Sequence, residues 1–399
     1  MSTETGTRPD RVGIVGGGVA TGFLLRALAQ RGFEGEVVVF AAEQHEPYDR
    51  TEVSKSIARS GHAGLRPLAP GSGARFVHEA AEALDPVRRT IASTSGEHRF
   101  DAIVVATGSR PIEIPGWDFA PALYGADSAL GVHADAGRSA LVVGGGFIGS
   151  EVAVSIAAND RAVTVLDLAA LPLEARLGSA VAGALATSWP ERVWRGGTTI
   201  ESRVSETVYL LSDGEQVEAE AVYTALGARP DSRLWGASAV AQRDGRIELD
   251  ELGRTSAENV YAIGDAATWR IAGSGRWHPA AHWDDARITA DVCAAQLSGS
   301  PSRALGDHVP YFWSEQFAGR IQVVGHLDPS VHHIEILEHR EDGAGSRPEL
   351  VAVASDAGTV SAIVLLNRPR ALAVASRAVR DRIAVDSLGE HLGLQGAPR

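Results

Sequence analysis

The run Val12-Gly13-Ile14-Val15-Gly16-Gly17-Gly18-Val19-Ala20-Thr21-Gly22 passes from a short apolar stretch through glycines into the helical pattern of Phe23 to Ala29. It predicts strand, tight turn and helix in succession. A turn written Gly16-x-Gly18 lets the backbone approach a diphosphate with no Cβ in the way, and the helix behind it offers unpaired N–H groups and a positive dipole end. Gly16, Gly18, Val19 and Ala20 are therefore candidate positions against a dinucleotide. One such motif is a weak signal, and the third glycine of G-x-G-x-x-G is displaced, with Thr21 in its place and Gly22 following. A second, complete copy strengthens it: Ala140-Leu141-Val142-Val143-Gly144-Gly145-Gly146-Phe147-Ile148-Gly149 again leads from an apolar strand into a helical pattern through Val152 and Ile156. Its candidates are Gly144, Gly146, Phe147, Ile148 and Gly149. Two copies in one chain point to a protein that holds two nucleotides.

Composition sets the outer bounds. The 399 residues exceed what one core usually fills, so two or three domains are expected. An apolar content of 44% with 22% charge is ordinary for a soluble globular chain. No apolar run approaches the ~18 residues of a membrane span, and the polar start from Met1 to Asp10 does not read as a signal peptide. The lone Cys293 excludes a disulfide framework or a dithiol relay within the chain and suits a reducing cytoplasm. A net charge of -13 argues against nucleic acid as a general partner, without forbidding a local basic patch. Of 37 basic residues only Lys55 is a lysine. Where a site needs a compact ammonium, arginine's planar fork is a poor substitute, so Lys55 stands out; a lysine spared by composition drift is the alternative.

After the first helix, Gly35 to Glu43 reads as a second parallel strand, and an acid at its end can hold a ribose hydroxyl pair. Glu43 is the candidate, a plain loop acid the alternative. Glu46 to Ser56 reads as an irregular segment in which Arg50 and Lys55 reach phosphate or flavin. Thr90 to Phe100 predicts a hairpin turning at Ser95-Gly96. Asp101 to Pro111 reads as a buried strand ending in the turn Ala106-Thr107-Gly108, and Pro111, Pro115 and Gly116 mark a linker. Ala162-Val163-Thr164-Val165-Leu166-Asp167 ends in an acid with no Arg or Lys in the next several positions, which favours NADH over NADPH. Ala221 to Pro230, with Gly227, repeats the cadence of Asp101 to Pro111. Val260 to Asp265 delivers an aspartate at a strand end, suited to a ribityl or pyrophosphate group or to a helix N-cap. Cys293 falls in the helical stretch opened by His282 to Ala286 and reads as a buried apolar-like residue. Beyond Pro310 come short strands, Arg320 to Gly325, Ile334 to Glu338, Leu350 to Ala354 and Thr359 to Leu366, with turns at Gly343 and Gly358 and a helical tail from Pro369. His332 and His333, adjacent in a strand pattern, face opposite ways, so no metal site is expected.

These motifs resemble those of the FAD-dependent, NADH-using ferredoxin reductases of bacterial oxygenase systems, and more distantly the rubredoxin reductases, the apoptosis-inducing-factor-like flavoproteins and the flavin part of nitrite reductases. The likeness runs from Val12 to about Arg380. Its most specific parts are Pro47-Tyr48-Asp49-Arg50 with Ser54-Lys55, Gly144 to Glu151, Val260 to Asp265, Val309-Pro310-Tyr311-Phe312-Trp313-Ser314-Glu315-Gln316 and Asn367-Arg368-Pro369-Arg370. The resemblance implies that Lys55 lies beside flavin N5 and pairs with Glu151, which also meets the nicotinamide amide. An ammonium there favours the electron-rich flavin, and a carboxylate neighbour keeps it charged. It further implies Asp265 on the FAD chain, Trp313 at the flavin's pyrimidine edge, Trp283 near the isoalloxazine rim and Phe147 beside the nicotinamide. Ala81, Ala106, Thr107, Gly108, Gly227 and Gly264 complete the cofactor-lining set. Core packing is the alternative for the aromatic residues. The chain departs from the family's usual pattern where Thr51, Glu52 and Val53 replace two prolines and a leucine, where Ala42 stands at the place the family's ribose acid usually holds, one before Glu43, and where Thr21 replaces glycine.

The expected fold is α/β, with two Rossmann-like dinucleotide-binding domains, FAD on 1–115 with 242–315 and NADH on 116–241, plus a small C-terminal α+β domain on 316–399. The expected activity is that of a cytoplasmic NADH:ferredoxin oxidoreductase, monomer or homodimer, with no membrane or nucleic-acid partner. Its ferredoxin-type iron-sulfur partner would dock on a local basic face, for which Arg368, Arg370, Arg377, Arg380 and Arg382 against Asp381 are candidates. A solvated helix with no partner is the alternative. Alternative activities are an NADH-dependent flavoenzyme that reduces oxygen or a small metabolite, and an NADH-sensing flavoprotein. Thiol-based chemistry is disfavoured because no cysteine lies near the flavin segments.

Overall fold

The computed structural model describes residues 8–61, 65–135, 137–235, 240–341 and 347–393. The residues before Arg8 and the expected turn at Gly343 lie outside them. The chain forms two compact units, one of residues 1–50, 65–110 and 228–308, the other of 51–64, 111–227 and 309–399.

In the first unit, strands Val260–Ala262, Ala102–Val105, Arg11–Val15, Glu36–Phe40 and Arg75–Val77 lie side by side in that order, every pairing parallel. From Val12 to Val15 the strand is apolar and buried because both faces are covered. Helices Val19–Gln30 and Trp283–Leu297 supply Leu24, Leu28, Ala290 and Cys293 to a core shared with Val12 and Ile14. Strands Thr90–Ser93 and Gly96–Arg99 form the expected hairpin, with Gly96 at φ 121° in its turn, and Ala81–Asp85, which the sequence did not announce, pairs antiparallel beside Thr90–Ser93. Gly13 has a packing reason: a Cβ there would lie 2.6 Å from the Phe100 ring and 2.8 Å from Ile91.

The second unit carries a parallel sheet ordered Trp194–Gly196, Val163–Asp167, Ala140–Val143 and Ala221–Thr224, followed from Ala140–Val143 by helix Phe147–Ala157. It also holds an antiparallel five-stranded sheet ordered Tyr311–Gln316, Gly319–Gly325, Thr359–Leu366, Glu349–Asp356 and His333–Arg340. The first of these strands was absent from the sequence expectation, and it starts before residue 316. Its mixed Phe-Trp-Ser-Glu-Gln composition hides the alternation that the structure shows, with Ser314 and Gln316 buried and Glu315 exposed. The tail is helical as expected, Leu372–Arg380 and Val385–Leu392. His332 precedes its strand, and its Nδ1 accepts from the Asp328 N–H at 3.1 Å.

One expectation fails outright. The segment read as irregular is helical at its end: a 3₁₀ turn Arg50–Glu52 runs into a wide π-type turn Val53–Ile57. Such single wide turns recur at functional sites, and this one carries Lys55 within the second unit.

Candidate functional site

The two glycine loops share the same backbone hydrogen bonds at their first glycine. In the first, the Gly16 N–H donates to the Phe40 carbonyl and the Ala106 N–H to the Val15 carbonyl, each at 2.8 Å. In the second, the Gly144 N–H donates to Leu166 at 2.8 Å and the Ala225 N–H to Val143 at 2.7 Å. Gly16 and Gly144 sit at φ 109° and 107°, and a Cβ on either would lie 2.2 Å from the Ala106 oxygen or 2.5 Å from the Ala225 oxygen. Only glycine fits there. Helices Val19–Gln30 and Phe147–Ala157 begin at Gly18 and Gly146, with no side-chain cap and no acid in the first turn. A Cβ on Gly146 would meet no protein atom within 4 Å, and one on Gly18 only Arg50 Nε at 3.8 Å. Bare, uncapped helix starts with open glycine faces fit a diphosphate in each unit.

Around the first loop, Gly264 at φ 60° would place a Cβ 2.9 Å from Ala20, so this turn closes directly on the glycine helix. Asp265 lies in the 3₁₀ turn Gly264–Ala266 and caps no long helix; its Oδ2 accepts from the Ser109 hydroxyl at 2.7 Å. Burial pushes its carboxyl above the usual range, against Ser109 and the Arg246 charge. The strand expected to reach Glu43 ends at Phe40, so Glu43 lies in the loop beyond it, where it pairs with Arg50 and accepts from Tyr48 Oη at 3.1 Å. Thr107 Oγ1 donates to the Asp231 carbonyl at 3.2 Å, Gly108 holds φ 69°, and Ala81 opens the hairpin sheet. Trp283 packs edge-on to Phe23, ring centroids 4.8 Å apart.

Around the second loop, Asp167 Oδ2 accepts from the Gly145 N–H at 2.6 Å and Oδ1 from the Ala169 N–H at 2.8 Å, so the acid fastens the loop. Phe147 packs on Phe312 at 5.1 Å, while Ile148 stays exposed and Gly227 turns at φ 94°. Trp313 stacks with Tyr311 at 5.9 Å under Arg320, whose guanidinium carbon is 5.4 Å from the ring.

The predicted pair is present. Lys55 Nζ lies 2.8 Å from Glu151 Oε2, with side chains 13% and 6% exposed, and also donates to the Thr51 carbonyl at 3.0 Å. A largely buried ammonium with a buried carboxylate is an oriented, charge-assisted pair. Glu52, the acid foreign to the family's usual pattern, accepts from the Ser56 hydroxyl one turn on.

Comparison with known proteins follows the same lines. Residues 10–286 match the pyridine nucleotide-disulphide oxidoreductase family and residues 311–388 the reductase C-terminal family. The chain belongs to the pyridine nucleotide-disulphide oxidoreductases. It is thus an oxidoreductase that works with FAD and NADH. It is 30% identical to the chlorobenzene dioxygenase ferredoxin reductase component of Cupriavidus sp., covering 94% of this chain and 93% of that one. It is 28% identical to the biphenyl dioxygenase system ferredoxin–NAD(+) reductase component of Paraburkholderia xenovorans, covering 95% of each. Among solved structures, Fdr9 aligns at TM-score 0.86 and 34% identity over 98% of this chain and 100% of its own. The reductase of a covalent putidaredoxin reductase–putidaredoxin complex shares the fold at TM-score 0.85 and 24% identity, over 98% and 99%. Despite the family's name, this oxidoreductase has a single cysteine, buried in the core, where burial pushes the thiol's pKa up. Among the described residues no group of three or more His, Cys, Asp or Glu is placed to hold a metal, and no helix is long and apolar enough to cross a membrane.

Sequence reasoning passed over several residues. Ser54 and Ser314 stood inside quoted motifs without a role, yet both touch Glu151. Trp194 lies against Gly145, where a Cβ would be 2.2 Å from its ring. No local pattern announces such contacts between distant strands.

Proposed function

We propose that this oxidoreductase takes hydride from NADH and passes electrons singly to a ferredoxin-type iron-sulfur protein, as the reductase component of an oxygenase or P450 system. The observation that carries the reading is the pair of equivalent open glycine loops, one per unit, in a chain that matches ferredoxin reductase components over nearly their whole length. Bound FAD supplies the step from two-electron to one-electron transfer. The protein's share is to hold and orient. Gly16, Gly18, Val19 and Ala20 receive the FAD diphosphate, with Glu43, Arg50, Ala81, Ala106, Thr107, Gly108, Gly264, Asp265, Trp283 and Trp313 along the rest of the cofactor. Gly144, Gly146, Phe147, Ile148, Gly149, Asp167 and Gly227 receive NADH, and Asp167 disfavours a 2′-phosphate. Lys55 and Glu151 supply the charge pair that tunes the flavin. The domain limits proposed are 1–115 with 242–315, 116–241, and 316–399.

For the partner we propose a basic docking face on the tail, narrowed by the structure. Arg368 is already paired with Glu338 and Glu349 at 3.0 and 3.1 Å. Arg370, Arg377, Arg380 and Arg382 are exposed and suit an acidic carrier. We place the enzyme in the cytoplasm, as monomer or homodimer, which sedimentation distinguishes. NADH-driven cytochrome c reduction, with and without candidate ferredoxins over a salt series, tests the reading. Dependence on the ferredoxin that weakens with salt is expected. Rapid aerobic NADH consumption with peroxide and no need of a carrier would instead establish a different acceptor.

A further inference from the structure

We propose that Ser54 and Ser314 are positioning residues, a two-sided clamp that fixes the orientation of Glu151 and, through it, the place of the chain's only lysine. What the pair does rests on the function proposed above; how it is held does not. Glu151 Oε2 accepts from Lys55 Nζ at 2.8 Å and from the Ser54 hydroxyl. Oε1 accepts from the Ser314 hydroxyl at 2.7 Å and from the Glu315 N–H at 3.0 Å. Gln316 Nε2 donates to Ser314 Oγ at 2.7 Å, so the hydroxyl's own proton is the one aimed at Glu151. On the other side, Ser155 Oγ donates to the Ser54 carbonyl at 2.7 Å and holds the turn that presents both Ser54 and Lys55.

Every group converging on the carboxylate is a donor. Such a ring suits a group whose two oxygens only accept. Each hydroxyl fixes one oxygen, and they come from elements far apart in sequence, the wide turn Val53–Ile57 and the strand Tyr311–Gln316. With both in place each oxygen has two donors, which fixes the plane of the carboxylate and with it the direction from which Lys55 is met. With one hydroxyl removed, that oxygen keeps a single donor, Lys55 Nζ on Oε2 or the Glu315 N–H on Oε1, and the pair is held less firmly.

The sole lysine makes this measurable without any electron acceptor. Holoprotein is treated with an acetylating reagent, and peptide mass spectrometry follows the labelling rate of Lys55 alone. Ser54→Ala and Ser314→Ala should each label about tenfold faster than wild type, the scale of one lost hydrogen bond to a charged group. Ser314→Thr, which keeps the hydroxyl, should restore the slow rate. Glu151→Gln marks the fully released lysine. Labelling in both alanine variants that matches wild type would overturn the clamp, and so would unchanged labelling in Glu151→Gln. If Ser314→Ala does not fold, Ser54→Ala decides by the same criterion. Stopped-flow reduction by NADH separates the two readings: fast labelling with unaltered flavin reduction upholds the clamp and removes the pair from the proposed chemistry.

Discussion

Asp285 illustrates how a single buried charge is made tolerable. It is 0% exposed, with Oδ1 at 2.9 Å from His278 Nε2 and Oδ2 accepting from the Ala281 and His282 N–H groups, each at 3.1 Å. Burial alone would raise its carboxyl; the His278 charge and hydrogen bond, His282 and the Ala281 N–H outweigh burial and hold it below the ordinary range. Its folded pKa is therefore below its unfolded one, and the stability it contributes is present above about pH 4 and lost as pH falls through the folded value. Asp285→Asn should cost about 3 kcal/mol near neutrality, with the gap to wild type narrowing below about pH 4, as read from urea midpoints across pH. A gap that stays constant with pH would contradict the assignment. Gly146 makes the opposite kind of case, a residue that matters for what is not protein. Its φ of -70° suits alanine and no protein atom lies within 4 Å of an added Cβ. Gly146→Ala should leave the melting temperature nearly unmoved and weaken NADH binding about tenfold or more in titration. Unchanged affinity would take the diphosphate away from this loop.

At the scale of elements, the displaced glycine of the first motif acquires a reason. In the second loop a Cβ on Gly149 would lie 1.9 Å from the Gly144 oxygen. The equivalent Thr21 is accommodated with its hydroxyl donating to the Gly16 carbonyl at 2.5 Å. Gly22 does separate work, because a Cβ there would come within 2.7 Å of Leu68 and 3.2 Å of Pro47. The helix Val19–Gln30 therefore packs directly on the segment where the Leu68 N–H donates to the Pro47 carbonyl at 2.7 Å. Gly22→Ala should destabilise the protein by about 1–3 kcal/mol in denaturant unfolding, as overpacking does. A neutral result would mean that this segment yields freely. The cradle read as one motif is thus two contacts, one to the loop and one to a distant strap, and only the first was visible in the spacing.

For the whole molecule, the proposed partner must overcome a net charge of -13, so association depends on where the positive charges lie. Reversing Arg370, Arg377 and Arg380 to glutamate should lower carrier-dependent turnover about tenfold at low salt, converging with wild type as screening shortens the reach of charge to about 10 Å. NADH-driven reduction of ferricyanide should be untouched; equal losses in both assays would count against the docking face. The chain alone determined the two nucleotide folds, because glycine turns, apolar strands and terminal acids are local patterns set by steric and hydrophobic rules that act within about thirty residues. It also singled out Lys55 by scarcity and Glu151 by resemblance. It left open that Glu43 would be claimed by Arg50 and Tyr48, that Lys55 would ride on a wide helical turn, and that Ser54 and Ser314 would converge on Glu151. Those were decided by tertiary structure, because a buried carboxylate takes its donors from whichever elements packing brings to it, and nothing in the spacing of residues 54, 151 and 314 records that they will meet.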